Sequence, residues 1–561
     1  MTLHFLHRAS VALVFLVGAR AADAACVISG ARPVVPPPAA GQQFSFIATA
    51  DCEKLRFRVP GSTFVAIPKA GPDRGTKDRT YKVVLTEREW NSLVDEGDTT
   101  FTWSIIGTTS AGVTTRVTTT TELKVEGGDA IDLSMADAKL VGEEPGDIAG
   151  AFPASAGDVD GDGHDDLLVG SGNDEGGSGA GAAYLVLGPV TGTFDLSLAD
   201  AKLVGEEAGN YASQAGPRAS SSAGDVDGDG FDDLLIGALG YEGGVGAAYV
   251  VHGPVTGTLD LSLADSKLWN SDLWLVGWAV AGVGDVDADG RDDVLVLDEY
   301  EDAWLVLAPA TGTIDLSLAD ATLVGEDAGA APMTASGAGD VDADGHDDLL
   351  LGAYVNDEGG DDAGAAYLVL GPVTGTFDLS GADAKLVGEE PVDLAGCDVA
   401  GAGDVDNDGH DDLLVGAQYN GEGGLSAGAA YVVLGPVTGT RDLALADAKL
   451  VGGRGDMAGV YVAGAGDVNG DGHDDLLVGS WFETNAGAGE LVLGPVTGTF
   501  DLSRADATLV GEQAGDNAAV VSGAGDVDAD GRGDILVGAG WNDEGGADAG
   551  AAYLIYGGGL F

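Results

Sequence analysis

Seven copies of one aspartate-rich loop recur along this chain, and they constrain its fold more than any other feature. Each reads Asp-x-(Asp/Asn)-x-Asp-Gly-x-x-Asp and is followed at once by a short apolar run, as in 167–170. The copies begin at Asp158, Asp225, Asp285, Asp340, Asp404, Asp467 and Asp526, so six intervals span 368 residues, about 61 each. A unit repeated at this interval predicts an architecture built from copies of one supersecondary element.

The first loop shows why the pattern favours calcium. Its three leading aspartates alternate along the chain, and Gly163 permits the sharp bend that turns their carboxylates inward. Calcium accepts about six to eight hard oxygen ligands in a flexible geometry, which suits this set. An EF-hand is excluded, because its twelfth position needs a bidentate Glu and is Val169 here, in a strand-like segment.

The same positions in all seven loops predict about seven Ca²⁺ ions, one in each loop. The predicted ligands, with the seventh position acting through its backbone carbonyl, are Asp158, Asp160, Asp162, His164, Asp166; Asp225, Asp227, Asp229, Phe231, Asp233; Asp285, Asp287, Asp289, Arg291, Asp293; Asp340, Asp342, Asp344, His346, Asp348; Asp404, Asp406, Asp408, His410, Asp412; Asp467, Asn469, Asp471, His473, Asp475; and Asp526, Asp528, Asp530, Arg532, Asp534. In the last loop Gly533 replaces the aspartate found elsewhere at the eighth position, so that position is interpreted as dispensable for the metal.

Charge is distributed very unevenly. Residues 25–128 carry 12 Lys and Arg against 11 Asp and Glu, whereas residues 129–561 carry 11 against 80, a net charge of −69. Seven bound Ca²⁺ ions would offset only about fourteen of these charges. Nucleic acid requires a basic surface and is excluded as a partner.

The first residues resemble an export signal. An apolar run, 9–19, is too short to span a bilayer, and small residues at 22–24 offer a cleavage site, so 1–24 is predicted to be a signal peptide. The sequence shows no later membrane span, so the protein is expected to be secreted or held at the cell surface, with the periplasm as another compartment. In such a compartment Cys26 and Cys52 are expected to form a disulfide.

The two differently charged blocks predict two kinds of β-domain. In residues 25–128, short alternating runs separated by turns predict an immunoglobulin-like β-sandwich. From 129 to 561, each repeat reads as four strands, and seven repeats predict an all-β, seven-bladed β-propeller. The chain stops after a third strand, and residues 131–142 match the missing fourth one. This segment is predicted to close the ring by completing the last blade.

The repeats are similar to FG-GAP repeats, the units of the integrin α-subunit propeller. The resemblance is carried by the Gly-Asp-Val-Asp-x-Asp-Gly-x-Asp-Asp-Leu-Leu-Val-Gly core, as in 157–170, and the following Gly-Ala-Ala-Tyr, as in 181–184. It implies that the aspartate loops connect strands one and two of each blade on one face. A ligand-binding face is then implied on the opposite side, where strands two and three, and strand four and the next blade, are connected.

The connections implied for that opposite face differ most between repeats and carry aromatic residues. Candidate ligand-binding residues are Tyr241, Tyr354, Tyr419, Trp481 and Trp541, with Tyr300 at a similar position; packing over the strand ends is the alternative. The sequence contains no His-Glu-x-x-His helix, nucleophile elbow or phosphate loop. The favoured function is surface adhesion by binding an extracellular protein or glycan. The alternatives are a structural surface or matrix protein and, less favoured, a polysaccharide-active enzyme.

Overall fold

A computed structural model describes the strands between Ile28 and Glu122 as backbone, and residues 130–560 except 173–174, 215–217, 300–301, 310, 327–330 and 482–485. The chain divides into two compact units, Met1–Glu126 and Gly127–Phe561. The predicted signal peptide and the two cysteines of the predicted disulfide lie outside the described residues. No helix in the described part is long and apolar enough to cross a bilayer.

The first unit contains two antiparallel four-stranded sheets. Their strands are β1 (Ile28–Pro33), β2 (Gln43–Ala50), β3 (Lys54–Val59), β4 (Ser62–Val65), β5 (Ile67–Pro68), β6 (Asp78–Val84), β7 (Thr100–Thr108) and β8 (Thr114–Glu122). The strand orders are β1-β2-β6-β5 and β4-β3-β7-β8. The immunoglobulin-like sandwich itself stays a prediction.

The second unit is the predicted seven-bladed β-propeller, which is confirmed. Its strands are β9 (Ala130–Asp132), β10 (Ala138–Val141), β11 (Pro153–Gly157), β12 (Asp166–Ser171), β13 (Ala182–Val186), β14 (Gly192–Asp195), β15 (Ala201–Val204), β16 (Ser220–Gly224), β17 (Asp233–Ala238), β18 (Ala247–Val251), β19 (Gly257–Asp260), β20 (Ser266–Trp269), β21 (Ala279–Gly282), β22 (Val294–Leu297), β23 (Asp302–Val306), β24 (Gly312–Asp315), β25 (Ala321–Val324), β26 (Thr334–Gly339), β27 (Asp348–Ala353), β28 (Ala365–Val369), β29 (Gly375–Asp378), β30 (Ala384–Val387), β31 (Ala395–Gly403), β32 (Asp412–Ala417), β33 (Ala429–Val433), β34 (Gly439–Asp442), β35 (Ala448–Val451), β36 (Ala458–Gly466), β37 (Asp475–Ser480), β38 (Ala488–Val492), β39 (Gly498–Asp501), β40 (Ala507–Val510), β41 (Val520–Gly525), β42 (Asp534–Ala539) and β43 (Ala551–Ile555).

Each blade is a sheet of five strands rather than the predicted four. Blades one to six have the orders β11-β12-β13-β15-β19, β16-β17-β18-β20-β24, β21-β22-β23-β25-β29, β26-β27-β28-β30-β34, β31-β32-β33-β35-β39 and β36-β37-β38-β40-β9. The fifth strand comes from the next repeat and runs parallel to strand four, as β19 does beside β15. The segment read as one last strand is therefore two short strands that belong to neighbouring blades.

A short 3₁₀ helix separates those two strands in every repeat. The seven helices are Leu133–Met135, Leu196–Leu198, Leu261–Leu263, Leu316–Leu318, Leu379–Gly381, Leu443–Leu445 and Leu502–Arg504. An aspartate caps each one, as when Asp195 accepts the N–H of Ser197, and the first leucine is buried. Two helical turns, Tyr241–Gly244 and Gly557–Leu560, complete the elements.

The ring closes by joining the two ends of the propeller. Blade seven has the order β41-β42-β43-β10-β14, in which Leu140 of β10 pairs antiparallel with Ala552 of β43. The preceding β9 pairs instead with β40 of blade six, so segment 131–142 contributes to two blades. Strand one of each blade contacts strand one of the next, including β41 with β11. These pairings leave neither end of the repeat array unpaired.

The core lies between the blades. Strands two and three are buried at every position in blade one, and the same holds for blade seven. One cluster joins Leu167 and Tyr184 of blade one to Leu536 and Leu554 of blade seven. A strand covered on both faces is apolar throughout rather than alternating, which explains the apolar run after each aspartate loop.

Candidate functional site

The aspartate loops, called metal loops below, connect strand one to strand two in each blade. In blade one the loop lies between β11 and β12, and its last aspartate, Asp166, is already the first residue of β12. The Oδ2 atom of Asp166 accepts the N–H of Val159 at 2.9 Å, and Oδ1 accepts the N–H of Gly188 at 2.8 Å. This fully buried carboxylate therefore ties the loop to the turn that follows strand three.

Backbone N–H groups hold the leading carboxylates in place. Oδ1 of Asp158 accepts the N–H of Asp162 at 3.0 Å, Oδ2 accepts that of Gly163 at 2.9 Å, and Oδ1 of Asp162 accepts that of His164 at 3.0 Å. In at least five loops, three carboxylates each place an oxygen within 4.8 Å of the others. These sets are Asp158, Asp160, Asp166; Asp225, Asp227, Asp229; Asp285, Asp287, Asp289; Asp340, Asp342, Asp344; and Asp404, Asp406, Asp412.

The donor set fits a hard divalent cation. The Oδ1 atoms of Asp342 and Asp406 are buried without a hydrogen-bond partner, and both belong to these convergent sets. A buried carboxylate oxygen without a partner is costly, and a bound cation removes that cost. Among the residues that the structure describes, no Lys or Arg forms an ion pair with a metal-loop ligand, although Nδ1 of His252 lies 3.1 Å from Oδ2 of Asp227.

Burial raises the pKa of the last aspartate in each metal loop, called the closing aspartate below. It raises the pKa of Asp166, Asp233, Asp293, Asp348, Asp412 and Asp475 to about 7, and that of Asp534 to about 6. Nearby aspartates of the same loop add to this shift. Each loop thus concentrates negative charge in a partly desolvated place, which is the electrostatic setting that favours a cation.

The eighth loop position, interpreted from sequence as dispensable, links neighbouring loops. Oδ2 of Asp232 in blade two accepts the N–H of Asp158 in blade one at 2.8 Å, and the N–H of Asp232 donates to the carbonyl of Asp158. Six residues make this link and are called the bridging aspartates: Asp165, Asp232, Asp292, Asp347, Asp411 and Asp474. Gly533 has no carboxylate, so only its backbone N–H makes the link, by donating to the carbonyl of Asp467 at 3.2 Å.

The histidines at the seventh position join the same inter-blade contacts. Nδ1 of His164 lies 3.0 Å from the carbonyl of Val527 in the preceding blade, and His346, His410 and His473 make equivalent contacts. At this position Phe231 packs beside Gly161 of the preceding loop. The role of these residues as carbonyl ligands stays a prediction.

At the opposite ends of the strands, five blades carry a lysine held by the neighbouring blade, and four of these lysines are buried while Lys267 is half-buried. The Nζ of Lys202 lies 2.7 Å from Oε2 of Glu143, which follows strand four of the preceding blade, and the hydroxyl of Tyr184 donates to the same oxygen. Equivalent Lys–Glu–Tyr clusters use Lys267, Glu206, Tyr249; Lys385, Glu326, Tyr367; Lys449, Glu389, Tyr431; and Lys139, Glu512, Tyr553.

Sequence reasoning missed these clusters, although a signal for them exists. The glutamate after strand four is absent before blades three and six, where Asn270-Ser271 and Gly453 occupy that region. In those blades the lysine and tyrosine are also replaced, by Thr322 and Trp304 and by Thr508 and Glu490. The partners thus appear and disappear together between repeats, as expected for residues in contact.

The predicted aromatic residues divide into two groups. Tyr241 is only 9% exposed and packs edge-on against Trp269, with the ammonium of Lys267 3.3 Å from the centre of the Tyr241 ring. Trp481 packs edge-on against Tyr461. Both rings therefore pack against a neighbouring aromatic ring, and Tyr354 is half-buried.

The remaining candidates, Trp541 and Tyr419, are 56% and 37% exposed. Tyr211 and Trp274, which follow strand four of blades one and two, are also exposed. They were not among the candidates chosen from the sequence. Tyr300 lies outside the described residues. The connections after strands two and four therefore place several aromatic side chains in contact with solvent.

An ion pair between described residues crosses the centre of the ring. Nε of Arg218 in blade two lies 3.1 Å from Oδ1 of Asp398 in blade five, and Nη2 also donates to the carbonyls of Val399 and Val462. Asp398 is 2% exposed, and burial raises its pKa although Arg218 opposes the shift. Beside this pair lies a cavity of about 370 Å³, lined by first strands of the blades.

Comparisons with known proteins match the repeat signature. The FG-GAP repeat family matches residues 151–186, 218–251, 398–433 and 459–492, the strand one to strand three segments of four blades. Integrin alpha pat-2 of Caenorhabditis elegans is 31% identical over 242 residues, covering 39% of this chain and 19% of that protein. Human integrin alpha-IIb is 33% identical over 147 residues, covering 25% of this chain and 14% of that protein.

The match to these relatives is therefore partial, between 14% and 19% of their length. Among solved structures, the crystal structure of BBS1N in complex with ARL6DN, soaked with mercury, is 10% identical and covers 76% of this chain and 95% of that one. Its TM-score of 0.39 is too low to inform the fold or the function. The chain thus carries FG-GAP repeats in four places and resembles the integrin α subunits over part of its length.

Proposed function

We propose that each metal loop binds one Ca²⁺ ion and that these ions stabilise the propeller. The observation that supports calcium is the convergence of three carboxylates in one turn, with buried, unpartnered oxygens at Asp342 and Asp406. The bound ion supplies positive charge and no chemistry of its own here. The aspartates hold the ion, and their backbone hydrogen bonds orient them before it binds.

Thermal unfolding in calcium and in excess EGTA tests this proposal. A ligand that binds only the folded protein stabilises it by about 2.7 kcal/mol per site at a hundredfold excess over Kd. Seven occupied sites, about 19 kcal/mol together, should therefore raise the melting temperature by about 20 °C. Identical melting curves in calcium and in EGTA would contradict calcium binding.

We further propose that the exported protein acts in surface adhesion, by binding an extracellular protein or glycan on the face opposite the metal loops. The observation that carries this proposal is the exposure of Trp541, Tyr419, Tyr211 and Trp274 on the connections after strands two and four. Large aromatic side chains supply contact area at a low cost in conformational entropy, which is why they dominate binding surfaces. The integrin relatives make such a role plausible, and we propose no catalytic activity.

Capture on arrays of matrix proteins and glycans tests the binding face. Trp541→Ala and Tyr419→Ala should weaken retention of the captured partner by at least tenfold. The matched control is Leu198→Ala, which removes a side chain that is 71% exposed in the 3₁₀ helix between β14 and β15 and belongs to neither kind of connection. Equal loss in the control, or no loss in the aromatic variants, would contradict this binding face. If no array component is retained, the structural role becomes the better interpretation.

A further inference from the structure

Each bridging aspartate forms hydrogen bonds with both the backbone N–H and the backbone carbonyl of the first aspartate in the preceding loop. In blade four, Oδ2 of Asp347 accepts the N–H of Asp285 at 2.8 Å, and the N–H of Asp347 donates to the carbonyl of Asp285 at 3.2 Å. The carboxylate of Asp285 in turn accepts the N–H groups of Asp289 and Gly290 in its own loop. The main chain of one loop's first ligand is thus positioned by the next loop.

The bridging aspartate is equally tied to its own loop. Asp347 directly precedes Asp348, the buried closing ligand, whose oxygens accept the N–H groups of Val341 and Gly371. A cation that orders Asp348 must therefore restrict Asp347 as well. Restricting Asp347 preorganises Asp285, so less conformational entropy remains to be lost when the third loop binds its ion.

We propose that the bridging aspartates couple metal occupancy between neighbouring loops, so that calcium binds cooperatively around the propeller. This inference rests on the proposed calcium binding. Coupling through a binding equilibrium is reciprocal, so an ion in either loop favours an ion in the other. Because Gly533 carries no carboxylate, the coupled loops form an open series that runs from the seventh through the first to the sixth, and not a closed ring.

Calcium titration of Asp347→Ala, followed by calorimetry and by hydrogen exchange of individual loops, tests the coupling. In the unaltered protein, calcium should protect the loops over a narrow concentration range, with a Hill coefficient above 1. In Asp347→Ala, the midpoint for protection of residues 285–293 should rise about tenfold, although Asp347 is not among the predicted ligands. The midpoint for residues 467–475, which receive no such bond, should change least, and the Hill coefficient should fall.

Two further variants keep the test specific. Asp347→Asn retains an oxygen acceptor and should preserve most of the coupling. Asp361→Ala removes the same charge from an exposed position on the other face and should leave every midpoint unchanged. Superimposable curves for Asp347→Ala and the unaltered protein, or a shift confined to residues 340–348, would overturn the coupling. Absence of calcium-dependent heat in the unaltered protein would instead overturn calcium binding itself.

Discussion

Glu143 and Lys202 lie on neighbouring blades, and their ion pair has an Nζ–Oε2 distance of 2.7 Å on the face opposite the metal loops. Lys202 is only 9% exposed and its aliphatic stem lies beside Tyr184, its cross-strand neighbour. The pair links blade seven to blade one, at the place where the ring is closed by segments from the two ends of the propeller.

Lys202→Met should destabilise the propeller by about 2 kcal/mol, because it leaves the carboxylate of Glu143 partly buried without its cation. Thr322→Val, at the same position in blade three where the cluster is absent, is the matched control and should change stability by less than about 0.5 kcal/mol. Denaturant unfolding measures both values. An equal effect of the two substitutions would contradict an inter-blade role for the lysine.

Stability should also depend on pH through these clusters. Burial on its own would raise the pKa of Glu143, but hydrogen bonds from Lys202 and Tyr184 outweigh it and lower the pKa below the usual 4.5. Glu326 behaves in the same way through Lys385 and Asn356. A lowered folded-state pKa contributes stability above about pH 4.5 that is lost as the pH falls through the folded-state value.

Urea unfolding between pH 6 and pH 3 should therefore show a smaller decline for Glu143→Gln than for the unaltered protein. Calcium is removed from the protein and the buffers before both series, because EGTA no longer binds it well at acid pH, so that calcium binding does not contribute. A steeper decline in the variant would show that this carboxylate has no lowered pKa in the folded state.

Alanine substitutions at two equivalent glycines distinguish the energetic cost of backbone strain from the cost of steric overlap. Gly224 and Gly466 both precede a metal loop and have φ values of +69° and +66°. A Cβ at Gly224 would overlap the carboxylate of Asp292, whereas one at Gly466 would lie 3.7 Å from Cα of Gly533. Both substitutions to Ala should cost about 1 kcal/mol for the left-handed backbone, and Gly224→Ala about 1–3 kcal/mol more. Equal melting temperatures for the two variants would exclude the overlap.

Substitution of a closing aspartate and of a leading aspartate should affect the stability of the propeller differently. Asp166→Ala leaves the buried N–H of Val159 and the partly buried N–H of Gly188 without acceptors and should cost about 2–4 kcal/mol even in EGTA. Asp160→Ala should be within about 1 kcal/mol of the unaltered protein in EGTA, yet lose about 2.7 kcal/mol of stabilisation at a hundredfold excess of calcium. Melting of each variant with and without calcium measures both effects. A calcium effect in Asp160→Ala as large as in the unaltered protein would remove Asp160 from the ligand set.

The ion pair across the centre gives a fifth expectation. Arg218→Met should destabilise by about 3 kcal/mol or more, because Asp398 would remain buried without its cation. Adding Asp398→Asn should recover part of this loss, since Asn still accepts the N–H of Val462 and carries no charge. No recovery in the double variant would show that Arg218 acts through packing alone.

Much of the propeller could be read from residues close together in the chain. The nine-residue metal loops, the apolar second and third strands and the count of seven repeats are all local patterns, and the predicted propeller is confirmed. The fifth strand of each blade could not be read in this way. Gly192–Asp195 and Ala201–Val204 form one continuous polar and apolar pattern, and only the position of the preceding blade separates them into two strands.

By itself the sequence predicted the carboxylate clusters, because alternating aspartates and a glycine bring oxygen atoms close together within nine residues, as in at least five loops. Tertiary structure decided which loops and blades are linked. Asp232 reaches Asp158, 74 residues away, and Arg218 reaches Asp398, 180 residues away. Such partners meet only once the ring has closed, because closure sets the distance between strands that no local pattern relates. The aspartate that looked dispensable for the metal thus proved to connect one metal loop to the next.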